Sequence, residues 1–301
     1  MKNIPPLPQR IRLPYHAPWD WQQFHEHFAL RSLAGVECLS PRCYARSVRL
    51  GADSGWFSVA PLDGCAELEL ELHLPSHHAE TLTARVRKMF DLDSNPAHIA
   101  AHLGDDAILG PLLLEAPGLR LPTAFDPFEQ AVRAIVGQQV TVKAAVTIVG
   151  RLVQRLGEEL PGAIEGQPTR LFPTAEALAE ADLAGIGMPG KRVETLQRFS
   201  AACASGALQL HVEDGAEDLV QRLCALPGIG PWTAEYVALR AFGDPDAFPA
   251  ADLGLLKSPV WGAQGITARE LQRRAEAWRP WRAYAAVYLW HAYSQAGRTG
   301  G

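Results

Sequence analysis

The chain has 301 residues, of which 48% are hydrophobic and 20% charged, with a formal net charge of -5 and a pI near 6.1. This composition is typical of a globular protein and excludes a disordered chain, and the length is sufficient for two ordinary domains. The net negative charge argues against nucleic-acid binding by bulk electrostatics alone.

Residues 18–115 predict an α+β unit. Two β-rich runs, residues 44–50 and 55–60, are separated by a short loop that suits a hairpin. Residues 67–74 alternate between charged side chains and leucine, which is the pattern of an antiparallel strand with one buried face. Helices are predicted before and after these strands in the sequence, over residues 21–32 and 79–90, and are expected to cover one side of the sheet. We therefore expect an N-terminal domain, residues 1–117, built from an antiparallel sheet with flanking helices.

The rest of the chain, residues 118–301, lacks strand patterns and is predicted to be all-α. Asp126 is a helix-capping residue, Pro127 suits the first helical position, and Gly137 suits the end of that helix. A second helix is predicted over residues 141–156, and further ones near residues 175–182 and 191–204. The expected fold class is thus α+β, with the sheet domain preceding a helical domain.

A glycine-rich turn, residues 227–230, separates two runs of apolar residues at helical spacing. Gly228 and Gly230 can adopt backbone conformations that other residues avoid, and Pro231 suits the start of the second helix. The turn would present free backbone amides at a helix N-terminus, which can bind a phosphate oxygen. Such turns are also common in ordinary helix packing, so the pattern alone leaves both interpretations open.

A single carboxylate, Asp252, follows this hairpin after a loop rich in proline and aspartate. Near a helix start it could serve only as an N-cap, or it could stabilise a developing positive charge in a reaction. Beyond Asp252 the chain holds seven basic residues and two acidic ones, which favours a locally positive face. The basic residues are Lys257, Arg269, Arg273, Arg274, Arg279, Arg282 and Arg298.

This arrangement resembles the helix-hairpin-helix (HhH-GPD) DNA glycosylases, and within them the AlkA-like DNA-3-methyladenine glycosylase II group. Four further segments carry the resemblance, in the same order along most of the chain: residues 126–130, 134–138, 187–192 and 280–291. The resemblance implies an enzyme that flips alkylated purines of the 3-methyladenine type from double-stranded DNA. It implies hydrolysis of the N-glycosidic bond by Asp252, which begins base excision repair.

The resemblance also assigns residues to the base pocket and to DNA. Trp232, Tyr236 and Trp290 match the aromatic pocket, with core packing as the alternative for each. Gly228, Gly230 and Thr233 of the hairpin are expected to contact DNA. Gln139 stands where the family inserts a leucine wedge into the duplex, and we expect it to be a weaker wedge because a glutamine gains less from leaving water.

Several absences refine the expectation. Trp232 occupies the position of the lysine that bifunctional relatives use for strand cleavage, so no lyase activity is expected. No cysteine follows Cys224, so the iron-sulfur cluster of other relatives is not expected, and no cofactor is required. The resemblance implies a sodium or potassium ion on the backbone carbonyls of Cys224, Leu226 and Ile229, although no side chain indicates it.

The expected setting is the bacterial cytoplasm, because the sequence has neither a membrane-length apolar run nor a signal peptide core. A nucleoid-associated monomer that binds damaged duplex DNA and no membrane is the corresponding prediction. The alternative in a different class is a non-catalytic hairpin protein that recognises damage. The sequence does not distinguish among 3-methyladenine, 7-methylguanine, hypoxanthine and ethenoadenine as preferred bases.

Overall fold

The computed structural model of the protein describes residues 8–299, with side chains for residues 8–297. Its N-terminal part contains an antiparallel five-stranded sheet in the order β1-β5-β4-β3-β2. The strands are β1 (Gln9–Pro14), β2 (Glu37–Ser40), β3 (Cys43–Leu50), β4 (Asp53–Pro61) and β5 (Glu67–His73). The three central strands are those that the sequence predicts, and the two edge strands are additional.

Strand β5 has one buried face and one charged face, as its alternating sequence predicts. Leu68, Leu70 and Leu72 are buried beneath the sheet, while Glu69 and Glu71 lie on the other face. Both glutamates are within ion-pair distance of Arg10 on β1, at 3.8 and 2.9 Å. One face of this strand therefore builds the core and the other borders solvent.

Helices α1 (Trp21–Ala29) and α2 (Ala79–Met89) contribute to the core of the sheet through Phe24, Phe28 and Val86. Asp20 caps α1, since its side chain accepts a hydrogen bond from the Gln22 amide. Two short helices, α3 (Pro96–Leu103) and α4 (Leu109–Glu115), follow α2. Their buried side chains Ile99, Leu103, Leu109 and Leu113 belong to the core of the helical part.

The helical part matches the predicted all-α character. It comprises α5 (Pro127–Val136), α6 (Val142–Leu156), α7 (Ala175–Glu180), α8 (Gly190–Ala204), α9 (Ala216–Cys224), α10 (Pro231–Phe242), α11 (Leu253–Leu256), α12 (Ala268–Ala275) and α13 (Arg282–Thr299). Asp126 caps α5 by accepting from the Glu129 amide, and Pro127 is its first residue, as the sequence predicts. The fold class, α+β with a helical second part, is confirmed.

Two hydrophobic cores organise the molecule. The first lies under the sheet and includes Phe125, whereas the second lies among the helices and includes Leu33 and Ile99. Each core thus uses side chains from both sides of the predicted boundary between residues 117 and 118, which stays a prediction. Among the helices described between residues 8 and 299, none is both long and apolar enough to cross a bilayer.

A buried charge network joins the sheet to α5. Glu129 accepts from Arg46 at 2.7 Å and from Arg133 at 2.7 Å, and Arg133 also donates to Glu37 at 2.9 Å. The Tyr44 hydroxyl completes the set by donating to Glu37 at 2.7 Å. Every ionised group in this network has an opposite partner, the condition under which buried charges are tolerated. The network fixes α5, and with it the turn that follows α5, against the sheet.

Candidate active site

The predicted hairpin is formed by α9, a tight turn and α10. Gly228 in the turn has φ = +94°, and a β-carbon there would lie only 2.0 Å from Oγ1 of Thr195. Gly230 has φ = -98° and open space where a β-carbon would stand. No side chain caps α10, so the amides of its first turn are free to donate hydrogen bonds to an external acceptor. Gly228 is therefore needed for packing, and Gly230 leaves the approach to these amides free.

Replacement of Gly230 by valine is expected to weaken duplex binding by roughly ten- to a hundredfold, the loss of one hydrogen bond to a charged group. The reason is that the new side chain would stand between the α10 amides and a phosphate, while the backbone keeps its conformation. Fluorescence anisotropy with undamaged and damaged duplexes at one salt concentration measures the effect, which should be equal for both.

Gly150→Val on α6 is the matched control, because Gly150 also has open space at its β-carbon position and lies away from the hairpin. Equal affinities for the Gly230→Val and Gly150→Val variants, both folded, would remove the hairpin from the DNA contact.

The turn after α5 is attached to this hairpin. Gln138 donates hydrogen bonds from Nε2 to the Gly228 carbonyl and to Oγ1 of Thr233, each at 3.0 Å. Thr233 is buried, so a DNA contact from it would use its backbone amide. Gln139 is exposed and has φ = +56°, and the exposed Val140 follows it. The structure thus brings the predicted wedge position beside the hairpin, and Gln138 is a site residue that the sequence predictions did not include.

Asp252 is held by four N–H donors. It caps α11, with Oδ1 accepting from the amides of Gly254 and Leu255 at 2.9 and 3.3 Å. Oδ1 also accepts from Trp290 Nε1 at 2.8 Å, and Oδ2 accepts from Trp232 Nε1 at 3.0 Å. Asp252 is therefore an N-cap and also a half-buried carboxylate between two indoles. Oδ2 keeps a lone pair for a further partner.

The three predicted pocket aromatics form one cluster, in which Trp232 and Trp290 bond to Asp252 and Tyr236 packs against both. Trp232 stacks on Tyr236, with ring centroids 5.4 Å apart and an interplanar angle of 20°. Tyr236 meets Trp290 edge to face at 6.2 Å and 77°. All three side chains are half-buried, which distinguishes them from the fully buried Trp278 of the core. Gly254 allows Trp290 its position, since a β-carbon there would lie 3.1 Å from the indole.

Arg240 is a further residue at this site that the sequence predictions did not include. It lies on α10 one turn after Tyr236 and two turns after Trp232, so the three share one face of the helix. Its guanidinium carbon lies 4.6 Å from the centre of the Trp290 ring, and Nη1 donates to the Pro122 carbonyl at 2.9 Å. The i, i+4, i+8 spacing from the two aromatics is the signal that could have found it.

The basic residues beyond Asp252 divide into two groups. Arg279 and Arg282 both form ion pairs with Asp246 and Glu276, so they do not contribute a free positive face. Four others are exposed: Lys257, Arg269, Arg273 and Arg274. Arg298 lies outside the described side chains. The locally positive face is therefore smaller than the sequence indicates.

Backbone carbonyls at the end of α9 have the donor chemistry that suits a sodium or potassium ion. The Leu226 carbonyl accepts from the Ile229 amide at 3.1 Å and keeps a second lone pair. Among the described residues, a cluster with metal-ligand chemistry lies elsewhere, on the sheet domain, where Oδ2 of Asp53 contacts His77 at 3.3 Å and His78 at 2.9 Å. Hydrogen bonds to the carboxylate account for that convergence.

Comparison with known proteins places these two parts in one family. Residues 10–126 match the AlkA N-terminal domain, and residues 132–282 match the HhH-GPD superfamily of base excision DNA repair proteins. The chain is 36% identical to DNA-3-methyladenine glycosylase 2 of Escherichia coli over 284 residues, which cover 93% of this chain and 96% of that protein. The chain belongs to the AlkA family.

Other relatives agree with the AlkA assignment. One relative is a Mycobacterium tuberculosis protein named probable bifunctional transcriptional activator/DNA repair enzyme AlkA. The two are 38% identical over 93% of this chain, and the matched region spans 56% of the length of the Mycobacterium tuberculosis protein. The structure of a 3-methyladenine DNA-glycosylase from Archaeoglobus fulgidus has the same fold, with a TM-score of 0.80 and 23% identity over 95% of this chain and 98% of that one. Mag1 of Schizosaccharomyces pombe, solved with abasic DNA, gives a TM-score of 0.52 and 25% identity over 64% of this chain and 95% of that one.

Proposed function

We propose that the protein is a monofunctional DNA glycosylase that flips alkylated purines out of duplex DNA and hydrolyses their N-glycosidic bond. The observation that carries the proposal is the environment of Asp252, a carboxylate bonded to the indoles of Trp232 and Trp290 beside a helix-hairpin-helix. Membership of the AlkA family supports it.

The proposed role of Asp252 follows from its charge and its free acceptor position. As the bond to the base breaks, positive charge develops on the sugar, and a fixed carboxylate stabilises it. The free lone pair of Oδ2 can also orient a water molecule toward C1′. The four N–H donors hold the carboxylate in place, so little reorganisation is needed during the reaction.

The aromatic side chains would hold the flipped base by stacking, which contributes about 1–3 kcal/mol per base. An N3- or N7-alkylated purine carries a positive charge and leaves as a neutral base, so no general acid is required for it. This explains why a single carboxylate suffices at the site. Trp232, Tyr236 and Trp290 are the proposed pocket, with Gly228, Gly230 and Thr233 binding the DNA backbone.

Gln139 is the proposed wedge that fills the gap left by the flipped base. Gln139→Leu should raise excision of a stably paired base such as hypoxanthine by roughly tenfold, because burying a leucine contributes about 1.5–3 kcal/mol. Gln139→Ala should lower it. Glutamine and leucine are similarly disfavoured at the backbone angle φ = +56° of this position, so any difference between them reflects the side chain and not backbone strain. Single-turnover excision with 2-aminopurine beside the lesion measures both steps; rates equal to wild type in both variants would place the wedge elsewhere.

The absence of a lysine at position 232 supports hydrolysis without strand cleavage, because no amine is there to form a Schiff base. The test is borohydride treatment during the reaction on a duplex with one alkylated purine. The proposal expects base release, an intact strand until alkali is added, and no covalent protein-DNA adduct. A trapped adduct would contradict it. No cofactor is required, and the proposed enzyme is a monomer.

A non-catalytic damage-recognition protein is the second candidate, since the hairpin alone would bind DNA and Asp252 also caps α11. The two candidates differ in whether damaged base appears free in solution. They also differ in the effect of replacing Asp252, which matters for excision only if the protein is an enzyme.

A further inference from the structure

Arg240 is a buried cation that the proposed reaction does not use. The residue is 6% exposed, its Nε has no hydrogen-bond partner, and its contacts in the described part of the chain include no ion pair with a carboxylate. Burying a cation without such a partner is unfavourable. The Trp290 ring face compensates part of this cost. The buried charge of Arg240 is therefore a candidate for a role in the base pocket.

The charge is present at neutral pH. Burial, together with the positive charge of Arg31, lowers the pKa of Arg240 to about 10, against the opposite effects of Tyr236 and Asp252. Even this lowered value leaves the guanidinium protonated under ordinary conditions. The pocket thus has a fixed positive charge on one face of Trp290.

We propose that Arg240 sets the charge preference of the base pocket, a proposal that rests on the function proposed above. A cationic base held against Trp290 gains from the ring but is repelled by the guanidinium behind it. A neutral damaged base does not experience this repulsion. Arg240 thereby reduces the advantage of cationic bases and allows neutral ones to compete.

The expected size of this repulsion follows from the distance between the guanidinium of Arg240 and a base stacked on Trp290. A base stacked on the opposite face of the indole would lie about 8 Å from the guanidinium carbon, because that carbon is 4.6 Å from the ring centre and stacked atoms are about 3.5 Å apart. At an effective dielectric constant of about 20, repulsion over this distance changes a binding constant by roughly tenfold or more.

A ratio of two substrates isolates this effect. Arg240 also lies near Asp252, so its removal is expected to change the excision rate of every base. The ratio of the rates for a cationic and a neutral base cancels this common change. A merely structural role for Arg240 would lower both rates and leave the ratio unchanged.

The experiment measures single-turnover excision from two duplexes, one with 7-methylguanine and one with hypoxanthine. Arg240→Met should raise the cationic-to-neutral ratio by roughly tenfold, and Arg240→Lys, which keeps the charge, should leave it within about threefold of wild type. Arg12→Met is the control, since Arg12 lies on the exposed edge strand β1.

Arg240→Gln provides a second route, because Arg240→Met also loses the hydrogen bond to Pro122 and its folding could suffer, whereas the neutral glutamine amide keeps an N–H donor. It should raise the ratio in the same direction. If wild type excises both bases and the ratio is unchanged in the folded Arg240→Met and Arg240→Gln variants, the Arg240 proposal is overturned while the glycosylase function stands. If wild type excises neither base, both proposals fail.

Discussion

Asp252→Asn is expected to lower single-turnover excision by about 10²–10³-fold, the loss that follows removal of one fixed group that stabilises charge in a transition state. Asparagine has the same shape, and its oxygen can still accept from the Gly254 amide and Trp290. It lacks the negative charge that the developing cation on the sugar needs. Duplex affinity should stay within about twofold, because the hairpin binds the backbone independently.

Asp20→Asn is the matched control for this variant. Asp20 is also an aspartate at a helix N-cap, on α1, and is exposed. It should keep wild-type excision. An Asp252→Asn protein that excises at the wild-type rate would reduce Asp252 to a helix cap and favour a different catalytic group.

Glu129→Gln is expected to lower the free energy of unfolding by about 3–5 kcal/mol, because it leaves Arg46 buried without its ion-pair partner and Arg133 with Glu37 alone. This corresponds to a fall in Tm of roughly 6–20 °C. Thermal unfolding followed by tryptophan fluorescence measures the change. Glu180→Gln, at an exposed position of α7, should change the free energy by less than about 0.5 kcal/mol and is the control.

The pH dependence of stability gives a second readout for Glu129. Burial acts to raise the pKa of its carboxyl, but Arg46 and Arg133 outweigh burial and hold that pKa below the usual value. A lowered folded-state pKa contributes stability above the ordinary value of about 4.3 and loses it as the pH falls further. Wild type should therefore lose more stability than Glu129→Gln below about pH 4. Parallel curves would show that the network does not couple to proton binding.

Local patterns were sufficient for the elements whose burial follows from their own sequence. The leucines of β5 alternate and are buried, and the capping residues Asp126 and Pro127 begin α5 where predicted. The edge strand β1 carries only a short alternation, with Ile11 and Leu13 on the core side, and was not predicted from the sequence. It pairs with one neighbour and ends in Pro14. The other edge strand, β2, has four residues, which are too few to show a period.

The residues of the candidate site that lie in family motifs or at helical spacing were predictable from the sequence. The structure brings Trp232, Tyr236, Trp290 and Asp252 together, although their roles in the reaction stay predictions. Charged residues that become buried through partners distant in sequence were not predictable. Arg46 and Glu129 are 83 positions apart, and either one alone has the sequence character of a surface residue.

The measurement that tests the central claim most directly is mass spectrometry of a duplex with one 7-methylguanine after incubation with excess protein. Our account predicts one equivalent of free 7-methylguanine in solution and an intact strand that carries an abasic site. A duplex that is bound by the protein but retains all of its damaged base would contradict the account and identify a recognition protein.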